Sequence, residues 1–204
     1  MEVKYIAILI VIILTLNRAR LARKSASFTE KTKGEISSRW TYTLLSILYI
    51  FIILGSIIET YFFLKTLNII MSSLGLVVYV TGIIGRNKAI KTLGEYWSTH
   101  IEIRKGQQIM QDGPYKYIRH PGYLSLIIES LSIPVMLNAY YSLLGAMLIF
   151  IPAVLIRAKL EDIEMEKKIG KKFTAYKRNV GPFIPKNIFE LIMPVLNKKQ
   201  NIKK

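Results

Sequence analysis

Residues 42–64, YTLLSILYIFIILGSIIETYFFL, and residues 66–85, TLNIIMSSLGLVVYVTGIIG, are two apolar runs with only Lys65 between them. A helix needs roughly 20 residues to cross the hydrocarbon core, so each run is long enough to span and the pair reads as a tight hairpin. Upstream, residues 5–16 are apolar apart from Thr15, and Arg18, Arg20, Arg23 and Lys24 follow. A cleavable secretory peptide carries its positive charge ahead of the apolar run, so this order predicts a retained signal anchor. Downstream, residues 121–137 and 140–156 form another apolar pair, turned at Asn138 and Ala139, with Pro134 and Pro152 as expected kinks. The expected fold is an all-α integral membrane bundle of about five transmembrane helices.

Charge orients the bundle. The 204 residues are 51% hydrophobic yet hold 29 Lys plus Arg against 13 Asp plus Glu, a formal charge of +16. Mean hydropathy is +0.33, which excludes a disordered chain. Seven basic residues fall in 17–39, seven in 86–120 and thirteen from Arg157 onward, leaving only Lys4 and Lys65 on the other side. Cytoplasmic flanks are enriched in Lys and Arg, so the N-terminus is expected outside and the C-terminus inside. Span-flanking charge of this kind also attracts anionic membrane lipids, and no nucleic acid partner is expected. There is no phosphate-cradling Walker loop and no G-x-G-x-x-G turn. Cysteine is absent, which rules out a disulfide, a thiolate nucleophile or cysteine-held zinc. His100 and His120 are the only histidines, too few for a zinc shell without a carboxylate cluster, and no metal is expected.

Two polar stretches carry more pattern than a connector needs. The first runs from Leu93 through His100 and Gln107-Gln108-Ile109-Met110 to Asp112-Gly113-Pro114-Tyr115 and Arg119-His120-Pro121-Gly122-Tyr123. Asp-Gly-Pro is a turn signal, and Pro121 suits the first turn of a helix, where its missing N–H costs nothing. His120 then sits at the mouth of that helix, whose free N–H groups and the Arg119 fork would suit a small zwitterionic ligand. The plainer reading makes Arg119 and His120 headgroup anchors, with Tyr115, Tyr117 and Tyr123 as an aromatic belt. In the second stretch the last span runs on into a polar helix, placing Arg157 and Glu161 one turn apart on one face. The plainer reading there is an ordinary helical ion pair. Glu129 lies mid-span, a position that marks either function or a hydrogen-bonded packing role, and Glu59 is read as interfacial.

Gly113-Pro114-Tyr115, Arg119-His120-Pro121-Gly122-Tyr123, Arg157 with Glu161-Asp162, and the following Gly170-Lys171-Lys172-Phe173-Thr174-Ala175-Tyr176 together resemble the isoprenylcysteine carboxyl methyltransferases and related membrane phospholipid methyltransferases. The resemblance covers about residues 93–185. It implies a cytoplasm-facing pocket for S-adenosyl-L-methionine, formed by the loop before span four and the helix after span five. Its cofactor residues would be Gln107, Gln108, Ile109, Met110, Tyr115, His120, Pro121, Gly122, Tyr123 and Glu161, with Arg119 beside them and His100 near another cofactor position. Arg157 would face a lipidic or prenylated substrate entering from the bilayer, with Glu129 as a further substrate-side candidate, and Arg157 and Glu161 would be the catalytic pair. Gln107 stands where a histidine is common, Ser125 replaces a glycine, and Asp162 shortens the second member of a Glu-Glu pair.

Methyl transfer from a sulfonium to an ionised carboxylate needs positioning more than a strong base or a metal. Carboxyl O-methylation of an isoprenylcysteine is therefore the leading expectation. The alternatives are a phospholipid headgroup N-methyltransferase, an NADPH-dependent sterol-type reductase and a non-catalytic lipid-binding membrane protein. Three regions are expected: the spans of residues 1–92, a catalytic region over 93–185 and a basic tail over 186–204. The location would be a plasma membrane if prokaryotic and the endoplasmic reticulum if eukaryotic. The residues carry no signal for oligomeric state.

Overall fold

A computed structural model of the chain describes residues 3–28, 35–63, 66–103, 106–186 and 188. Most of the basic tail expected over residues 186–204, and residues 29–34, lie outside them. The long helices are α1 (Val3–Phe28), α2 (Arg39–Phe63), α3 (Ile69–Leu93) and α4 (Pro121–Met136). A fifth rod is made of α5 (Tyr140–Gly145), one π turn over Ala146–Phe150, and α6 (Ile151–Ile169). Gly170, at φ 69°, ends this rod and starts α7 (Lys171–Asn179).

Arg39–Phe63, Ile69–Tyr96 and Tyr140–Ile169 are long and apolar enough to cross a membrane. Pro121–Met136 is apolar but shorter, about 24 Å at 1.5 Å per residue. Large apolar side chains point outward from these helices, among them Phe51, Phe62, Phe63, Ile70, Val77 and Leu148. An apolar exterior of this extent belongs in lipid rather than water. The interior is built on Val11, Tyr49, Tyr79, Ile133, Leu137, Phe150 and Val154.

Several expectations are corrected. The fold is not wholly helical: β1 (Glu35–Ser37) and β2 (Ile101–Ile103) pair antiparallel, with Ile36 opposite Glu102. The first helix does not stop at residue 16 but continues through the basic residues to Phe28. The third runs eight residues past Gly85, to Leu93. Glu59, read as interfacial, is buried against the start of α5. Its carboxylate accepts the backbone N–H groups of Tyr141 (3.0 Å) and Ser142 (2.8 Å) and the Ser142 hydroxyl (2.8 Å), satisfying donors that the start of α5 would otherwise leave open. Pro134 falls in the last turn of α4, and Pro152 follows the π turn, which widens the helix just ahead of a residue that cannot donate to it.

The turn between α4 and α5 falls where it was expected. Asn138 adopts φ 55°, a conformation that asparagine tolerates. Its amide accepts the Asn68 N–H (2.8 Å) and donates to Ser72 (3.1 Å), which ties the turn to the start of α3. Glycines let α3 and α4 pack backbone to backbone. A Cβ on Gly75 would lie 2.5 Å from the Met136 nitrogen and 2.7 Å from its Cα.

Gly75→Ala should therefore lower the melting temperature of the detergent-purified protein, an overpacking cost of about 1–3 kcal/mol. Gly145→Ala, whose Cβ meets nothing within 4 Å, should not. Equal effects of the two substitutions would contradict the packing account.

Candidate active site

The two polar stretches meet at one end of the bundle, where α3 ends and α4 begins. After α7 the chain returns to α4 and pairs beside it: the Arg119 N–H donates to Gly181 O (2.8 Å) and the His120 N–H to Pro182 O (3.0 Å). Gly181 is required for this return, since a Cβ there would overlap the Ile184 carbonyl oxygen. His120 caps α4 by position, and its ring stacks on Tyr123 at 5.5 Å between centroids.

Asp162 of α6 gathers this corner. It bonds His120 Nε2 at 2.9 Å and Arg119 Nη2 at 2.8 Å. Arg119 also donates from Nη1 to the carbonyls of Lys177 (3.3 Å) and Val180. The Arg119 fork is thus spent on fastening α4, α6 and the end of α7 together, rather than held open for a ligand carboxylate.

Arg157 and Glu161 are brought together, but through a third residue. The Tyr123 hydroxyl accepts from Arg157 Nε (3.0 Å) and donates to Glu161 Oε2 (2.5 Å). Arg157 is 4% exposed and also donates to Thr41 Oγ1 of α2 and to Thr99 O (2.7 Å). A guanidinium has five N–H donors, so two remain for another acceptor. The aromatic-belt reading fails for two of its three members: Tyr115 and Tyr123 turn inward, and only Tyr117 is exposed.

Between β2, the 106–110 segment, α6 and α7 lies a cleft of about 720 Å³, counted to its open mouth. Of the residues singled out from sequence, His100, Gln107, Gln108, Ile109, Met110, Tyr115, Arg119, His120 and Glu161 line it. Pro121, Gly122, Tyr123 and Arg157 are not part of this lining. Glu129 is elsewhere, fully buried between α1 and α3. Sequence reading missed Tyr96, Ser98, Glu102, Met165, Phe173 and Tyr176 as lining. Phe173 and Tyr176 lay in the quoted motif, and their spacing of three on a helix was the signal that they share a face.

The donor set fits an adenosyl amino acid. Glu161 offers a half-buried carboxylate, and His100 Nδ1 is buried without a hydrogen-bond partner. Burial first, then the Arg157 and Arg39 charges, hold His100 below its ordinary value against the pull of Glu102, so the ring is neutral at pH 7. Burial and the Glu161 charge push the Tyr115 hydroxyl well above the usual tyrosine value. Tyr176, also buried, is pushed up to about 12 and donates to Tyr115 O (2.6 Å). Both phenols stay protonated and act as donors, not bases.

With this geometry in hand, the comparisons with known proteins are decisive for the family. Residues 73–167 match the isoprenylcysteine carboxyl methyltransferase (ICMT) family. The chain belongs to that family. It is similar to the uncharacterized protein YpbQ of Bacillus subtilis, 33% identical over 84 residues, 39% of this chain and 47% of that one. An uncharacterized Haemophilus influenzae protein is 31% identical over 130 residues, 63% of this chain and 75% of that one. Protein-S-isoprenylcysteine O-methyltransferase of Dictyostelium discoideum is 30% identical over 131 residues, 63% of this chain and 55% of that one. The solved eukaryotic intramembrane Ras methyltransferase ICMT shares the fold, with a TM-score of 0.57 at 23% identity over 74% of this chain and 54% of that one. The match thus spans about half the length of several of these relatives. The shared fold and the apolar helices make this family member an integral membrane protein.

Tyr123→Phe removes a buried hydroxyl bonded to two charged groups, and hydrogen bonds of that kind contribute about 1.5–3 kcal/mol each. The variant should melt earlier than wild type, and an unchanged melt would remove the relay from the account. His100 gives a pH test. A group whose folded pKa is depressed contributes stability that is complete above its unfolded value, about 6.5, and is lost as acidification passes the lower folded one. Wild type should lose thermal stability below pH 6.5 more steeply than His100→Asn, and parallel profiles would contradict the assignment.

Proposed function

We propose that the chain is an S-adenosyl-L-methionine-dependent methyltransferase acting on a lipidic substrate, by carboxyl O-methylation of an isoprenylcysteine. The observation that carries this reading is the cleft that joins Glu161, the unpartnered His100 Nδ1 and the 107–110 segment next to the Arg157–Tyr123–Glu161 chain. Family membership and the named relatives support the same chemistry. We infer five spans with the N-terminus outside, which puts the cleft on the cytoplasmic side with most of the Lys and Arg.

S-adenosyl-L-methionine, when bound, supplies an electrophilic methyl group on a sulfonium. In this reading Glu161 holds the cofactor's amino group, while Tyr115 and residues 107–110 enclose the remainder. The two unused N–H groups of Arg157 hold the acceptor carboxylate, and Tyr123 sets the distance between the two sites. No strong base is needed, because the acceptor is ionised at neutral pH. The dry wall around Arg157 favours bringing two opposite charges together into neutral products. The neutral His100 supports a second reading, a phospholipid amine, since an ammonium must lose its proton before it can accept a methyl group.

Calorimetric titration with S-adenosylhomocysteine should give saturable binding to wild type, weakened about tenfold or more in Glu161→Ala by loss of a charge-assisted hydrogen bond. Tyr115→Ala should weaken it too, and NADPH should not bind. Transfer of labelled methyl to farnesylcysteine, and not to phosphatidylethanolamine, separates the two acceptors. A folded sample that ignores S-adenosylhomocysteine, or takes NADPH instead, would sink the methyltransferase reading.

A further inference from the structure

Away from the cleft, Arg18 of α1 and Arg86 of α3 converge on Glu129 of α4. Arg18 Nε lies 2.7 Å from Glu129 Oε2, and Arg86 Nε lies 3.1 Å from Oε1, near enough for an ion pair but not aligned as a hydrogen bond. The charges do not balance. Two guanidinium cations face one carboxylate, and the other titratable groups packed against them, Tyr49 and Tyr79, are phenols. The Tyr49 ring lies 4.1 Å from the Arg18 guanidinium carbon, and its own hydroxyl is buried with no partner; Tyr79 donates to Leu14 O at 3.4 Å.

The guanidinium groups are also under-used. Each has a fork of Nη atoms carrying four N–H donors besides Nε–H, and among the described residues no Nη atom of either arginine has a hydrogen-bond partner. The side chains remain reachable, at 19% exposure for Arg18 and 13% for Arg86, while Glu129 is at 0%. Their depth is informative. Arg86 directly follows the apolar run of residues 66–85, and Arg18 stands two residues beyond the run of 5–16. Both therefore stand at the ends of apolar runs, where a span meets the headgroups, and their contacts bring Glu129 to that level rather than to mid-span.

We propose that Arg18 and Arg86 form an oxyanion site that takes the phosphate of an anionic amphiphile at the edge of the bundle. Glu129 sits between the two forks, lessens their repulsion and aims them outward. The site supplies the missing negative charge, and planar forks match phosphate oxygens better than lysines would. It is separate from the cleft and does not depend on methyl transfer.

The test is calorimetric titration of the full chain in a neutral maltoside detergent with dodecyl phosphate, beside sodium phosphate at equal concentration. Wild type should bind dodecyl phosphate saturably, and Arg86→Gln should bind about tenfold more weakly or worse, the loss of charge-assisted hydrogen bonds. Arg178→Gln, which removes the same charge from the exposed face of α7, should bind as wild type does. If Arg86→Gln gives no cooperative melt, Arg86→Lys takes its place; it keeps the charge beside Glu129 but lacks the fork, and should also lose affinity. Binding of dodecyl phosphate alone assigns the site to a lipid headgroup, and equal binding of sodium phosphate assigns it to free phosphate. Either supports the site. Absence of saturable binding, or equal weakening by Arg86→Gln and Arg178→Gln, would overturn it and leave the three residues as a closed structural cluster.

Discussion

A carboxylate with no exposed surface inside an apolar bundle must be neutralised or compensated, because an isolated buried charge costs far more than packing returns. Glu129 is compensated by arginines from two other helices, and this couples α1, α3 and α4 through a single side chain. Breaking such a pair from one side costs about 3–5 kcal/mol, so three helices share one constraint. Close approach makes it possible: the Cβ that Gly82 lacks would lie 2.9 Å from Glu129 Cγ. The opposite end is pinned by Glu59 on the start of α5 and by Asn138 against the start of α3.

Given that frame, the polar extension of the fifth rod determines the active end. α6 carries Arg157 and, one turn later, the adjacent Glu161 and Asp162, and all three are met by residues of the 119–123 segment. Asp162 gathers Arg119 and His120, while Tyr123 stands between Arg157 and Glu161. The short β1–β2 ladder brings the segment before α2 to the cleft, and Thr41, one turn into α2, meets Arg157. Residues separated by more than a hundred positions thus share one hydrogen-bond network, which holds its members at fixed distances.

Much of this was legible in the residues. The apolar runs located α2, α3, α4 and the fifth rod, since segments of that length have few other stable places to be. Asn138 and Pro121 marked a turn and a helix start by backbone preferences that act within a few residues. Nine of the residues that the resemblance to the methyltransferase family pointed to do line the cleft, because a motif carried whole from a relative brings its neighbourhood with it.

What the sequence determined by itself was therefore the apolar segments, the charge asymmetry around them, the family and the neighbourhood of the cleft. Tertiary structure alone decided the partners. Arg18 and Arg86 read as flanking charge until folding set both against Glu129, and the Arg119 fork read as open until Asp162 and two carbonyls filled it. The three residues Ile101–Ile103 gave no warning of pairing with Glu35–Ser37, where Ile36 and Glu102 are 66 positions apart. The physical reason is common to all of these. Hydropathy and turn preference are properties of a segment, whereas the partner of a buried charge or an edge strand depends on which distant segment the packed bundle brings within about 3 Å of it.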